Sequence, residues 1–293
     1  MTRAGIVTVV GKPNAGKSTL LNRIVGQKLS IVSPKPQSTR DRIVGIRTDD
    51  EVQMVLLDTP GLLDPAYPLQ RAMRATSLEA LDDADVIIYV ADATEGSAAP
   101  LEQAAGLATT PKAPIILALN KVDAITANQR ARLEKECGGA KFISAITGEG
   151  LDDLLATAAE RLPESPFLYP EDEISTQAVR FFVSELIRET ALEQLEDEVP
   201  YSVASKVEEF REDRSPVYIR AVIYVERESQ KRILIGAKGE RIREIGKASR
   251  AKVEELIGSP VYLDLWVKVL SNWRKNADAL RRLGYRLPKE HAQ

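Results

Sequence analysis

The residues able to do chemistry gather where apolar runs end. Ile6–Val10 leads into GKPNAGKST, residues 11–19, which has the spacing G-x-x-x-x-G-K-[ST]. Glycines at Gly11 and Gly16 let main-chain N–H groups turn inward around phosphate oxygens. A helix starting near Lys17 adds its positive end. The expected cradle is Gly11, Lys12, Pro13, Asn14, Ala15, Gly16, Lys17, Ser18 and Thr19, with Lys17 on the β- and γ-phosphates and the Ser18 hydroxyl on Mg²⁺.

Three further motifs narrow the ligand. Val52–Leu57 ends in DTPG, residues 58–61. Asp58 is expected to hold the magnesium through water, and the Gly61 N–H to meet the γ-phosphate, with Thr59, Pro60 and Leu62 beside them. Ile115–Leu119 ends in NKVD, residues 120–123. A carboxylate at Asp123 accepts two hydrogen bonds from guanine N1–H and N2–H₂, whereas adenine leaves it unpaired, a loss worth ~10⁴–10⁵ in discrimination. Lys121 lays its stem over the base and Asn120 ties the loops together. Lys141–Ile143 ends in SAITG, residues 144–148, where Ser144, Ala145 and Ile146 approach the base and the Ala145 N–H meets guanine O6. One tetrapeptide means little; four in order, each closing an apolar run, specify guanine nucleotides, GTP and GDP, with Mg²⁺.

Together these motifs resemble the translation-factor class of GTPases. The resemblance implies that PKPQSTRDRIVG, residues 34–45, is a switch segment with a Thr that meets magnesium and γ-phosphate only in the triphosphate state. Thr39 is chosen, with Ser38 the alternative. Ser18, Thr39 and Asp58 then form the metal set, and Lys17, Thr39, Asp58 and Gly61 the catalytic set. Leu62 stands where many GTPases carry the Gln that orients the attacking water. That departure resembles the TrmE–Era–EngA-like branch, in which the asparagine matching Asn14 binds a potassium ion in some members. Hydrolysis slow in isolation, raised by a partner or by K⁺, is the expectation. A nucleotide-binding RNA factor with negligible turnover is the alternative.

A second constellation lies further on. ILIGAKGERIREIGKASRAKVEEL, residues 233–256, holds Gly236, Ala237, Lys238 and Gly239 between helical segments. G-x-x-G in that setting is the loop that lies against about four nucleotides in KH domains, with Lys238 and Arg241 supplying charge. Residues 1–173 carry 18 Lys+Arg against 24 Asp+Glu, whereas residues 174–293 carry 22 against 19. Within the latter, residues 227–252 hold nine basic side chains and three acidic ones, which suits a polyanion partner. Trp266 is expected in the core of an apolar strand. Trp273 is left open, and Tyr67 and Tyr169 carry no signal.

The elements that must position these residues follow. Near-continuous apolar runs at residues 6–10, 52–57, 86–90, 115–119 and 141–143, separated by amphipathic stretches, predict a doubly wound, mostly parallel α/β sheet. Residues 42–48 form an extra, more exposed strand, and the ligands should lie at the strands' carboxyl ends. PESPFLYP, residues 163–170, marks a boundary. The expected division is residues 1–165, a linker at 166–175, and an α+β RNA-binding domain at 176–293. In the last, residues 176–189 form a helix. Strands at 203–210 and 217–225, a helix at 240–257 and a strand at 261–269 follow, giving a type II KH core over about 202–277.

Such a GTPase joined to a KH domain is similar to the bacterial Era family along essentially the whole chain. The resemblance implies binding to the 3′ end of 16S rRNA, a role in assembly of the 30S subunit, and loose contact with the inner membrane. The chain is expected to be a cytoplasmic monomer.

Composition supports this by exclusion. With one cysteine, Cys137, and one histidine, His291, among 293 residues, no internal disulfide, Cys/His zinc site or imidazole-based nucleophilic catalysis is available. No window approaches the ~18 apolar residues of a membrane span.

Overall fold

A computed structural model describes residues 1–288; His291 lies outside them. The chain divides into two units, one of residues 1–65 and 73–176, the other of residues 66–72 and 177 onward. Among the described residues no helix is long and apolar enough to cross a membrane.

The first unit holds a sheet of six strands, mostly buried on both faces at its centre and more exposed at its rims. These are β1 (Arg3–Val10), β2 (Ile43–Asp49), β3 (Val52–Asp58), β4 (Val86–Asp92), β5 (Ile115–Asn120) and β6 (Lys141–Phe142), in the order β2-β3-β1-β4-β5-β6. All neighbours are parallel except β2, which runs antiparallel to β3. Helices α1 (Lys17–Val25), α2 (Pro68–Asp82), α3 (Leu101–Ala105), α4 (Ala127–Glu136) and α5 (Leu151–Arg161) connect them. Because five strands point the same way, their carboxyl ends bring residues 11, 58, 92, 120 and 144 to one side of the sheet.

The proline-rich segment expected as a linker is held against this unit. Gln53 is fully buried; its Nε2 donates to Thr48 Oγ1 (3.0 Å) and Tyr169 O (2.9 Å), and its Oε1 accepts from Leu168 N (2.7 Å) and Tyr169 N (2.9 Å). Every hydrogen-bonding position of that amide is used. Further on, Ile46 N donates to Ile174 O (2.9 Å) and Ser175 Oγ to Val44 O (2.6 Å).

The second unit contains α6 (Val179–Gln194), α7 (Val199–Ser202), β7 (Ala204–Arg211), β8 (Val217–Val225), α8 (Glu228–Ile235), α9 (Glu240–Ile257), β9 (Val261–Val269) and α10 (Ala277–Arg282). Helix α6 runs beyond the expected residue 189, because Thr190, Ala191 and Leu192 continue its buried side. The sheet order is β7-β8-β9, with β8 antiparallel to β7 and parallel to β9. A parallel pair needs a crossover, which α8 and α9 supply. Val183, Ile187, Ile219, Ile223, Leu234, Ile245 and Val253 form one core between helices and sheet.

Two tryptophans part company here. Trp273 is fully buried, donates Nε1 to Ser202 O (2.8 Å) and stacks on Tyr285. Trp266 contradicts its expected core position and is 54% exposed. Side chains alternate along a strand, and Trp266 shares its side of β9 with Tyr262, Asp264 and Lys268, away from the core formed by Leu263, Leu265 and Val267.

Candidate functional site

Both glycines of the phosphate loop are imposed by close approach. At Gly11 (φ +153°) a Cβ would lie 2.1 Å from Val90 O, and at Gly16 (φ +97°) 2.1 Å from Asn120 Nδ2. Lys17 opens α1 and is buried; its Nζ donates to Gly11 O (3.1 Å) and Lys12 O (2.9 Å), closing the loop on itself. Burial lowers its pKa to about 8, against the opposing pull of Asp58.

Beside it lie the three expected metal ligands. Ser18 Oγ donates to Asp58 Oδ2 (2.7 Å), so the 2.9 Å contact between Ser18 Oγ and Thr39 Oγ1 takes its proton from Thr39. Asp58 is fully buried at the end of β3, and among the described residues its Oδ1 has no hydrogen-bond partner. Burial raises its pKa, with Lys17 and the hydroxyls opposing. A buried carboxylate oxygen without a donor, next to two hydroxyls, fits a hard divalent cation with oxygen ligands. Thr39 rather than Ser38 makes this contact; Ser38 lines the same cavity.

That cavity has a volume of about 410 Å³. Its walls are Pro13, Asn14, Gly16–Thr19, Gly61, Lys121 and Ile146, together with residues 31–34 and 37–39 of the segment before β2. Asn14 Nδ2 donates to Pro34 O (3.1 Å), joining the phosphate loop to that segment. Gly61 is also imposed: a Cβ there would stand 2.7 Å from Pro13 N.

At the other end, Asn120 is buried and links two loops, donating Nδ2 to Ala15 O (2.8 Å) and accepting at Oδ1 from Ala145 N (2.9 Å). Lys121 (φ +68°) donates Nζ to Asp92 Oδ2 at 2.5 Å. Asp92 escaped the sequence reading, although it pairs in register with Asn120 and, like Asp58, closes an apolar strand. Ser144 is buried, its Oγ accepting from Thr147 N (3.1 Å), and Ile146 is exposed at the cavity.

Three expected residues stand apart. Asp123 is exposed in a short turn and does not line the cavity. Thr59 turns its hydroxyl to Val9 O (2.9 Å), joining β1 to β3. Leu62 donates its N–H to Gly11 O (3.0 Å), but its side chain packs into a core with Val10, Leu81, Ile87, Tyr89, Leu101 and Ala105.

In the second unit, the loop between α8 and α9 presents the GAKG residues. At Gly236 (φ +74°) a Cβ would fall 2.8 Å from Arg241 Cβ, whereas at Gly239 (φ +77°) the space is open and the conformation alone favours glycine. Lys238 is exposed with φ +49°. Arg243, one of the nine basic side chains of residues 227–252 but not among the expected loop residues, closes the turn by donating to Gly239 O (3.1 Å) and Lys238 O (3.0 Å). The signal was its place four and five residues beyond the turn, where a helical side chain reaches back.

Comparison with known proteins finds two matching families along the chain. A family model described as 50S ribosome-binding GTPase matches residues 6–121, and one described as KH domain matches residues 198–274. The chain is 43% identical over 291 residues to the protein named GTPase Era of Carboxydothermus hydrogenoformans, covering 97% of this chain and 98% of that one. An Era variant from Aquifex aeolicus, solved bound to GDP·AlF4⁻, is similar over 98% of this chain and all of its own, at 39% identity and a TM-score of 0.89. A structure of Era with MgGDPNP and nucleotides 1506–1542 of 16S ribosomal RNA shows the same identity and coverage, with a TM-score of 0.91.

Proposed function

Because the chain belongs to the Era family of GTPases, we propose that it hydrolyses GTP to GDP and phosphate at a magnesium-dependent site. Its nucleotide state governs how the second unit binds the 3′ region of 16S rRNA during 30S subunit assembly. The observation that carries this reading is the Thr39–Ser18–Asp58 contact, which ties the segment before β2 to the metal-binding hydroxyl and carboxylate.

Ser18, Thr39 and Asp58 would hold Mg²⁺, which neutralises charge developing on the β- and γ-phosphate oxygens. Residues 11–17 orient the triphosphate through main-chain N–H groups, and the Lys17 ammonium accompanies charge moving toward the leaving phosphate. Water attacks the γ-phosphorus; the bond to the β-phosphate oxygen breaks, and its electron pair stays with GDP. Leu62 takes no part in orienting that water, because its side chain lies in the core. Main-chain groups or a bound partner supply the orientation, and Asn14 would hold a potassium ion that adds positive charge there.

Guanine selection rests on Asp123, with Lys121 and Ile146 bracketing the base and Asn120 fixing the loops. RNA is held at Gly236, Ala237, Lys238, Gly239 and Arg241, where the unit's basic residues concentrate. The first functional domain is read as residues 1–165, the second as 176–293 with a type II KH core, in a cytoplasmic monomer that touches the inner membrane peripherally.

The test is GTP turnover by the full chain with and without RNA containing the 16S 3′ end. Stimulated turnover is expected. RNA binding at unchanged, negligible turnover would replace the enzyme with a nucleotide-binding RNA factor.

A further inference from the structure

We propose that the outward face of β8 and β9 is a second nucleic-acid surface, a stacking platform for unpaired bases next to the GAKG loop. Inward residues of β9 pack beneath α8 and α9, and the outward ones leave two large rings in water, Tyr262 at 60% and Trp266 at 54% exposure.

These rings are held in place. Asp264 Oδ1 accepts from Trp266 Nε1 (2.8 Å), and its Oδ2 accepts from Tyr218 OH and Arg220 Nε (both 3.0 Å). One carboxylate thus ties down the polar edge of the indole and leaves its apolar surface open. Tyr218 and Tyr262 stack with centroids 5.8 Å apart and planes 12° apart, and the guanidinium carbons of Arg211 and Arg220 lie 5.4 and 5.7 Å from the Tyr218 centroid. The layers run from guanidinium through Tyr218 to an exposed Tyr262.

The occupant follows from that layering and from continuity. Bases extend an exposed aromatic stack whatever their sequence, and the Arg211 and Arg220 guanidiniums, paired with Glu209 and Asp264, back the rings and leave the stacking to Tyr262 and Trp266. Strand β9 is the rim of its sheet and packs on both helices that flank GAKG. A chain held by about four nucleotides at that loop therefore reaches Tyr262 and Trp266 by rounding one strand. This step rests on the RNA-binding reading of GAKG, and its test separates the two.

Affinities of the full chain for labelled single-stranded RNAs of about four and about ten nucleotides should be measured for wild type, Trp266→Ala, Trp266→Phe and Gly236→Asp. Trp266→Ala should weaken the longer RNA roughly fivefold to a hundredfold, spare the shorter, and be largely rescued by Trp266→Phe. Because Trp273 is buried, quenching of intrinsic emission by the longer RNA reports Trp266 directly. Weakening by Trp266→Ala but not by Gly236→Asp would keep the platform and remove the GAKG reading. Unchanged affinity in Trp266→Ala, with unquenched emission at saturation, overturns the platform and leaves the face to a protein partner.

Discussion

Replacing Asn120 by Ala should loosen the nucleotide site and the first unit together. The side chain makes two buried hydrogen bonds, one to Ala15 O and one from Ala145 N. Without it a carbonyl and an N–H stay in a dry interior, each at about 1–3 kcal/mol. The sum, roughly 2–6 kcal/mol, is a large share of the ~5–15 kcal/mol that holds a typical domain together. Both loops touch the expected ligand, so guanine-nucleotide affinity should fall at least about tenfold, mostly through faster release. Gly16→Ala should reproduce the defect from the other side, since its Cβ would lie 2.1 Å from Asn120 Nδ2. Urea unfolding, resolved into separate transitions for the two units, gives the stability term. Stopped-flow release of a fluorescent GDP analogue gives the affinity term. An Asn120→Ala protein that unfolds within about 0.5 kcal/mol of wild type and releases GDP at the wild-type rate would refute the argument and mean that water replaces the amide.

Three other outcomes follow from the same geometry. Lys17 has a folded pKa of about 8 against an ordinary 10.5, so between those values the unfolded chain binds more protons. Stability of the nucleotide-free protein should therefore rise as pH increases from about 8 to about 10.5, as thermal melts across that range would record. Pyrophosphate affinity should fall over the same window, because the ligand needs the ammonium, and a flat titration would contradict the assignment. Leu62→Gln buries an amide among Val10, Ile87 and Tyr89, so it should cost about 2–4 kcal/mol by chemical denaturation and leave single-turnover hydrolysis no faster. Asp123→Asn should shift preference from guanine toward xanthine nucleotides in competition binding; retained GTP preference would remove Asp123 from base selection.

Much of this was legible because the chemistry sits where apolar strands stop. Strand ends are marked in sequence by the change from Val/Ile/Leu to Gly, Asp or Asn, and Asp58, Asn120 and Ser144 lie at or just after such changes. Strands β8 and β9 and helix α9 have the expected limits because Pro216 and Pro260 precede the strands and Gly239 and Gly258 flank the helix. What escaped depends on which side of an element faces the core. VYLDLWVKV is apolar on average, yet Tyr, Asp, Trp and Lys occupy alternate positions. Period-two reading would have sent Trp266 outward with its charged neighbours. The attachments of Gln53 and Asn14 escaped for a different reason: they join residues distant in sequence, and no local pattern announces them.

The hold on residues 168–175 has a consequence for handling the molecule. Strand β2 ends the first sheet, and a bare outer strand offers unpaired amides to any neighbouring chain, the usual seed of strand-to-strand aggregation. Here the connection between the units covers part of that row, with Ile174 taking the Ile46 N–H and Ser175 the Val44 carbonyl. The segment is a guard rail as well as a tether. A GTPase fragment cut at residue 165 would strip it away and also leave the Gln53 amide without three of its four partners. One carried to residue 176 keeps the edge dressed and should stay monodisperse where the shorter piece precipitates.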